Sequence, residues 1–385
     1  MGTLNQFNSN ISSSQADSSD RSLKMIPVPH EGPFVDGIDH PELYLWDAWS
    51  FLQDEELHLY CLAISRTDSV GEMISPDSRN LRRFHIRHFV SHDMGVTWLD
   101  QGSFQEPREG QRLFDSRTIW SGSIIALDAT RQLCAFTGIR EQNEDLLFQQ
   151  SLGLAFSNDW EHVVEDSQHV ISDPLNDWDA IVDQGYFLGD IELLGHKNGE
   201  AGGPILAWRD PFLFAHHDQI HVFWSAKIAH DEPALGHALL SDTGAGYKIS
   251  KLYHPVTMPD SEHYTQLELP KILHDEAHDK YYLLVASCNR IHEQQSDAEA
   301  DKRTRLYRSD SLEGPWLEHG HEGSTLNLDE PNMFGITVLS ADFRAQTIDY
   351  IAPYTEEAGV EKFLTLSKTY KLSLSELGSN PACVK

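Results

Sequence analysis

Cysteine is scarce in this chain, with four in 385 residues: Cys61, Cys134, Cys288 and Cys383. None is spaced as CxxC, which excludes a zinc ribbon and a dense disulfide scaffold. Cys61, Cys134 and Cys288 each sit in an apolar run and read as small buried hydrophobes. Long apolar runs are missing too. No stretch approaches about 18 apolar residues, so neither a transmembrane helix nor a membrane partner is expected. Basic residues are few, 29 Lys and Arg against 60 Asp and Glu, for a formal charge of −31 with His neutral. Such a chain repels phosphate backbones, which argues against nucleic acid as a partner and suits a neutral substrate. The 21 His make the charge less negative below pH about 6.5. Acids are abundant, yet none follows an EF-hand spacing, and no metal or cofactor is expected. Residues 1–20 are rich in Ser, Asn and Gln and have no apolar core of the kind a secretory signal needs. They begin what reads as a flexible N-terminal extension over residues 1–40. The expected location is cytoplasmic, or outside the cell by a route without a cleavable signal.

Helical periodicity is nearly absent as well. What recurs is short apolar β-type runs broken by turn residues, which points to an all-β fold. One element appears five times, about 60–90 residues apart. Its copies are Leu57–Leu62, Leu133–Phe136, Ile220–Trp224, Tyr281–Val285 and Ile348–Ile351. A second element ends in Ser with an acid close behind: Ser91 with Asp93, Ser157 with Asp159, Ser241 with Asp242, Ser309 with Asp310. Three copies lead into Trp98, Trp160 and Trp316, and Leu366-Ser367 is a degenerate fifth. A unit of several short strands used five times predicts a five-bladed β-propeller, in one domain over residues 41–385. The competing architecture is a large sandwich or two stacked β domains. Asp68–Asn80 and His292–Lys302 are polar and read as surface loops.

The segments before these central strands carry the chemistry. They are Trp46-Asp47-Ala48-Trp49, Trp120-Ser121-Gly122-Ser123, Trp208-Arg209-Asp210-Pro211, Gln266-Leu267-Glu268-Leu269-Pro270 and Phe334-Gly335. Each precedes its strand by about 9–13 residues, and the first strand of a propeller blade lines the central channel. Asp47, Asp210 and Glu268 would therefore face one another in a cup. Like charges held together raise at least one pKa and create a proton donor near neutral pH. A protonated carboxyl beside a nucleophilic carboxylate is the apparatus of glycoside cleavage. Trp46, Trp49, Trp120 and Trp208 offer aromatic faces for a sugar ring, or else pack between blades; Arg209 can bind hydroxyls.

These motifs, taken in order, resemble those of glycoside hydrolase family 68, the levansucrases, inulosucrases and related β-fructofuranosidases. Lys280-Tyr281-Tyr282-Leu283 and Ser309–Trp316 extend the likeness to about residues 41–370. The Arg-Asp-Pro motif alone is shared by invertase and arabinanase families; the four motifs together are specific. The resemblance implies a five-bladed propeller with a funnel-shaped active site and a retaining fructosyl transfer from sucrose to water or a sugar acceptor. By it Asp47 is the nucleophile, Glu268 the acid/base and Asp210 the transition-state stabiliser. Trp46, Trp120, Ser121, Arg209 and Gln266 are sugar contacts, and Arg290 matches an arginine that meets the glucosyl unit. Two departures stand out. Leu269 replaces the family's usual Arg, and the Asp210–Glu268 interval is short, which implies trimmed loops and puts long-polymer synthesis in doubt. Alternatives are a glycosidase on arabinose- or fructan-type oligosaccharides, a non-catalytic sugar-binding propeller and a protein-interaction propeller.

Overall fold

Alternation of apolar and polar residues over nine to eleven positions makes strands with one face for each neighbouring layer. The computed structural model describes residues 26–110, 113–198, 206–292, 295, 299–328, 333–357 and 360–377. Residues 1–20 and Cys383 lie outside these. Five antiparallel sheets follow one another along the chain and form a five-bladed β-propeller. Blade 1 holds Leu43–Gln53, Glu56–Ser65, His85–Ser91 and Thr97–Gln105, with Phe34–Val35 added at its outer edge. Blade 2 holds Thr118–Ala126, Gln132–Arg140, Gln149–Ser157 and His169–Ser172. Blade 3 holds Arg209–His216, Gln219–Ala229, Glu232–Asp242 and Tyr247–Leu252. Blade 4 holds Gln266–Asp275, Lys280–Cys288, Lys302–Ser309 and Leu317–Glu318. Blade 5 holds Thr337–Asp342, Thr347–Ile351 and Tyr370–Ser373, with a two-stranded ribbon, Tyr354–Glu357 and Val360–Phe363, between the last two.

The five recurring apolar runs are the second strands of the five blades, and their residues fill the layers between blades. Tyr282, Leu284 and Leu306 of blade 4 share a core with Ile336, Ile348 and Tyr350 of blade 5. The ring closes where blade 5 meets blade 1. There Thr337 Oγ1 donates to the Ala48 carbonyl (2.7 Å) and Leu45 N–H to that of Leu364 (2.8 Å). The Ser-acid element builds the turn after the third strand. Ser91 Oγ accepts from Gly95 N–H, and Asp93 from Thr97 N–H, so each copy stabilises a tight corner without a regular ladder.

The expected extension over 1–40 ends earlier than the composition suggested. Phe34–Val35 pairs with Thr97 and Trp98, and Ile38 bridges to Leu366 of blade 5. Arg87, wholly buried, donates to the carbonyls of Pro27 and Val28. The apolar Phe34 and Ile38 make this segment part of the seam that ties blade 1 to blade 5. Among the described residues no helix is long and apolar enough to cross a membrane.

Candidate active site

Every first strand carries a register shift, between Trp46 and Ala48, Trp120 and Gly122, Arg209 and Phe212, Glu268 and Lys271, and, nearer its hairpin, Val338 and Ser340. A bulge re-aims the side chain at its centre. Asp47 (φ 42°), Asp210 (φ 60°) and Leu269 (φ 55°) adopt the left-handed region there. That conformation is costly for residues with a Cβ and clusters at functional sites. Gly122 is at a bulge of the same kind. A Cβ there would overlap the Ala135 carbonyl oxygen, at 1.8 Å, so the tight crossing of two strands excludes any side chain.

The bulges bring the acids of blades 1, 3 and 4 together. Asp210 is held on both oxygens. Ser121 Oγ of blade 2 donates to Oδ1 (2.5 Å), and Ser225 Oγ (3.0 Å) and Leu269 N–H (3.3 Å) donate to Oδ2. Its own N–H donates to Thr137 Oγ1. Arg209 Nη2 donates to Glu268 Oε1 (2.9 Å) and to Gln266 Oε1 (3.1 Å). The guanidinium is thus a bridge from blade 3 to blade 4. A Cβ built on Gly335 would stand 3.8 Å from Asp47 Oδ1 and 3.1 Å from Leu269 Cδ1. Blade 5 therefore approaches Asp47 through a glycine packed closely against Leu269. Among the described residues no hydrogen bond reaches the Asp47 carboxylate. It lies deep within the protein, yet solvent touches it from the cup.

Burial pushes the Asp47 carboxyl up to about 7, helped by the charges of Asp210 and Glu268 and opposed by Arg79 and Lys271. The raised acid was expected to be a proton donor; it is instead Asp47, the expected nucleophile, and burial is the first cause. Lys271 is buried in the same cup, with its ammonium bonded to the Leu269 carbonyl (3.1 Å). Desolvation lowers it to about 8, against the pull of Asp47 and Asp210. Arg79 arrives from the short 3-10 turn Pro76–Leu81 and lies over the Trp46 ring, 5.8 Å from its centroid.

The predicted sugar contacts divide. Trp120 is half-buried beside Phe148. Trp46 is 3% exposed, edge-on to Phe84, and only its rim side under Arg79 is available. Trp49 and Trp208 are core residues. Trp49 stacks near Tyr60, and Trp208 packs on Trp224 while its Nε1 donates to Ser172 Oγ. For these two, packing is the explanation. Ser121 spends its hydroxyl on Asp210, and Gln266 is 1% exposed behind Arg209. Arg290 follows the second strand of blade 4, and its carbonyl accepts from Thr265 Oγ1.

Reading the sequence did not single out Lys271, Arg79, Thr137 or Ser225. Three of these had a signal: a polar side chain inside an apolar strand, as in Leu269-Pro270-Lys271-Ile272, Phe136-Thr137-Gly138 and Trp224-Ser225-Ala226. Arg79 had none, being one charge in a polar loop.

Solved structures are similar to the chain in fold. An inulosucrase from Halalkalicoccus jeotgali bound to kestose is 16% identical, with a TM-score of 0.61, over 90% of this chain and 88% of that one. Bacillus subtilis levansucrase is 14% identical at a TM-score of 0.61, over 88% and 86%. A B. megaterium levansucrase variant is 16% identical at a TM-score of 0.62, over 92% and 90%. At this identity the likeness is one of fold. The sequence matches no protein-family model and no curated protein.

Proposed function

We propose that the protein is a retaining glycosidase that transfers the fructosyl unit of sucrose to water or to a sugar acceptor through a covalent fructosyl-enzyme. The observation that carries this reading is the contrast within the trio. Among the described residues Asp47 is the acid left without a protein hydrogen bond, while Asp210 is fixed on both oxygens and Glu268 is paired with Arg209. A nucleophile needs a free lone pair; a stabilising carboxylate needs fixed geometry. Asp47 would attack the anomeric carbon and break its bond to the glycosidic oxygen. Glu268 would give that oxygen a proton, and then take one from water or the acceptor hydroxyl as the fructosyl–Asp47 bond breaks. Asp210 would stay ionised beside the oxocarbenium-like transition state, in a site whose donors are already oriented. The likeness to levansucrases and an inulosucrase supports sugar as substrate and fructosyl transfer as reaction.

Glucose release from sucrose in a coupled assay tests the reading. Asp47→Asn should lower it by about 10³-fold or more with unchanged thermal unfolding. Near-full cleavage by that variant would remove Asp47 as nucleophile.

A second reading is favoured by one observation. A carboxyl poised near 7 also suits a general base that activates water in an inverting enzyme. Methanol added to the reaction separates the two. A retaining enzyme forms methyl fructoside from its covalent intermediate, and an inverting enzyme forms none.

A further inference from the structure

Lys271 is a charged group in the cup for which the reaction above has no use. It is 7% exposed, and a buried ammonium is expensive unless an opposite charge is close. Its single hydrogen bond among the described residues goes to the Leu269 carbonyl. Leu269 is the left-handed centre of the blade 4 bulge, and its N–H points the other way, to Asp210 Oδ2. One peptide unit on each side of this residue therefore links the ammonium to Asp210, and the Leu269 side chain lies, like Asp47, beside Gly335. Without the register shift between Glu268 and Lys271, Lys271 would sit on the opposite face of the strand from Glu268.

We propose that Lys271 is the positioning residue of the cup, the fixed countercharge against which Asp47 and Asp210 carry their negative charge. The proposal rests on the assignment of Asp47 as the reacting carboxylate, and it adds what keeps that group charged. The charged groups facing Asp47 are Asp210 from blade 3, Glu268 and Lys271 from blade 4, and Arg79 from the blade 1 loop. Blades 2 and 5 bring Ser121 and Gly335, which carry no charge. With all groups ionised, three acids meet Arg209, Arg79 and Lys271. Arg79 is half-buried over Trp46, and Arg209 is shared between Glu268 (2.9 Å) and Asp210 (3.7 Å). Lys271, buried like Arg209, is tied to Asp210 through Leu269.

The test is a comparison of Lys271→Met with Lys271→Arg. Met keeps the volume and removes the charge; Arg keeps the charge. Removing a nearby positive charge raises the Asp47 carboxyl further, so the acid limb of the kcat/KM profile should move up by about 1 pH unit in Lys271→Met. On the acid side of the limb that is a roughly tenfold loss. Lys271→Arg should restore the limb toward its wild-type position. A folded Lys271→Met with an unmoved limb would overturn the proposal, since packing alone predicts rescue by Met. Carboxyl ¹³C NMR of aspartate-labelled protein, with Asp47→Asn to assign the resonance, gives a readout independent of turnover. If sucrose is not cleaved but the Asp47 resonance titrates higher in Lys271→Met, the proposed reaction fails and the countercharge stands. If the resonance does not move, the countercharge fails, whatever the substrate.

Discussion

The Ser121 hydroxyl on blade 2 donates a 2.5 Å hydrogen bond to Asp210 on blade 3. The contact crosses the interface between blades, so the geometry of Asp210 depends on two sheets meeting correctly. Ser225, one strand further out in blade 3, fixes the other oxygen at 3.0 Å. Ser121→Ala should therefore loosen Asp210 without emptying the cup. The expected outcome is a fall in kcat of about 10-fold to 100-fold with a smaller change in KM, because an oriented charge acts mainly in the transition state. Ser121→Ala with Ser225→Ala should lose more than either alone. Steady-state kinetics on the three variants checks this. A rise in KM alone would mean that Ser121 binds the ground-state sugar directly.

The pH profile follows from Asp47. Its carboxyl is raised to about 7, first by burial and then by Asp210 and Glu268. The group must be ionised to attack, so kcat/KM should rise with pH through about 7 and fall away below it. Asp210→Asn removes one neighbouring negative charge and should move this limb to lower pH, while costing rate for the reason given above. A profile measured on any residual activity of that variant decides the point. A limb that stays at the same pH would assign it to a group other than Asp47.

The repeat count, the second strands and the acid-bearing first strands were legible because each depends on short-range alternation. A strand of apolar residues at Leu57–Leu62 or Tyr281–Val285 can be buried in few ways. Equivalent register then places Asp47, Asp210 and Glu268 on common ground. The bulges were not legible. Leu269 and Asp210 have no feature in the one-dimensional string that announces a left-handed backbone, and the direction of Lys271 depends on it. The tryptophans were misjudged for a similar reason. Trp46 and Trp49 are three residues apart, and the shift between Trp46 and Ala48 puts both on one face and in one core cluster. The start of the domain was placed late because a two-residue strand such as Phe34–Val35 carries no periodicity to detect.

Four of the 21 histidines form two buried pairs. His58 Nδ1 meets His88 Nε2 at 3.0 Å in blade 1, and His221 Nδ1 meets His237 Nε2 at 3.0 Å in blade 3. The two pairs occupy equivalent places, since His88 is opposite Tyr60 and His237 opposite Phe223. Desolvation, then the partner imidazole, lowers His88 to about 3 and His237 to about 3. The unfolded chain binds protons at these sites near pH 6.5, while the folded chain does not. Stability should therefore fall as the pH drops from about 6.5, by about 1 kcal/mol per group for each pH unit. His88→Phe and His237→Phe should flatten the slope of unfolding free energy between pH 6.5 and 4.5. Denaturant unfolding across that range measures it, and an unchanged slope would assign the acid sensitivity to other groups.

The seam beneath blade 1 makes a prediction of the same sign in pH, in a lower window. Asp100 is buried, which would raise its carboxyl, yet His40 and Arg87 bind it and hold it well below the usual carboxylate range. Arg87 contacts it twice, through Nε at 2.7 Å and Nη2 at 2.6 Å, and uses its remaining donors on Pro27 and Val28. The His30 and Gly102 N–H groups complete the set at 2.8 and 3.0 Å. Removing Asp100 leaves a wholly buried guanidinium without its counter-ion and releases the segment that leads to Ile38 and blade 5. Asp100→Ala should cost about 3–5 kcal/mol, and the loss should be full above pH about 4 and vanish in acid, where the wild-type carboxyl also becomes protonated. Amide hydrogen exchange should show Phe34–Ile38 and Leu366 losing protection together in this variant. Loss confined to Phe34–Val35, with Leu366 still protected, would mean that blade 5 closes the ring without the N-terminal segment.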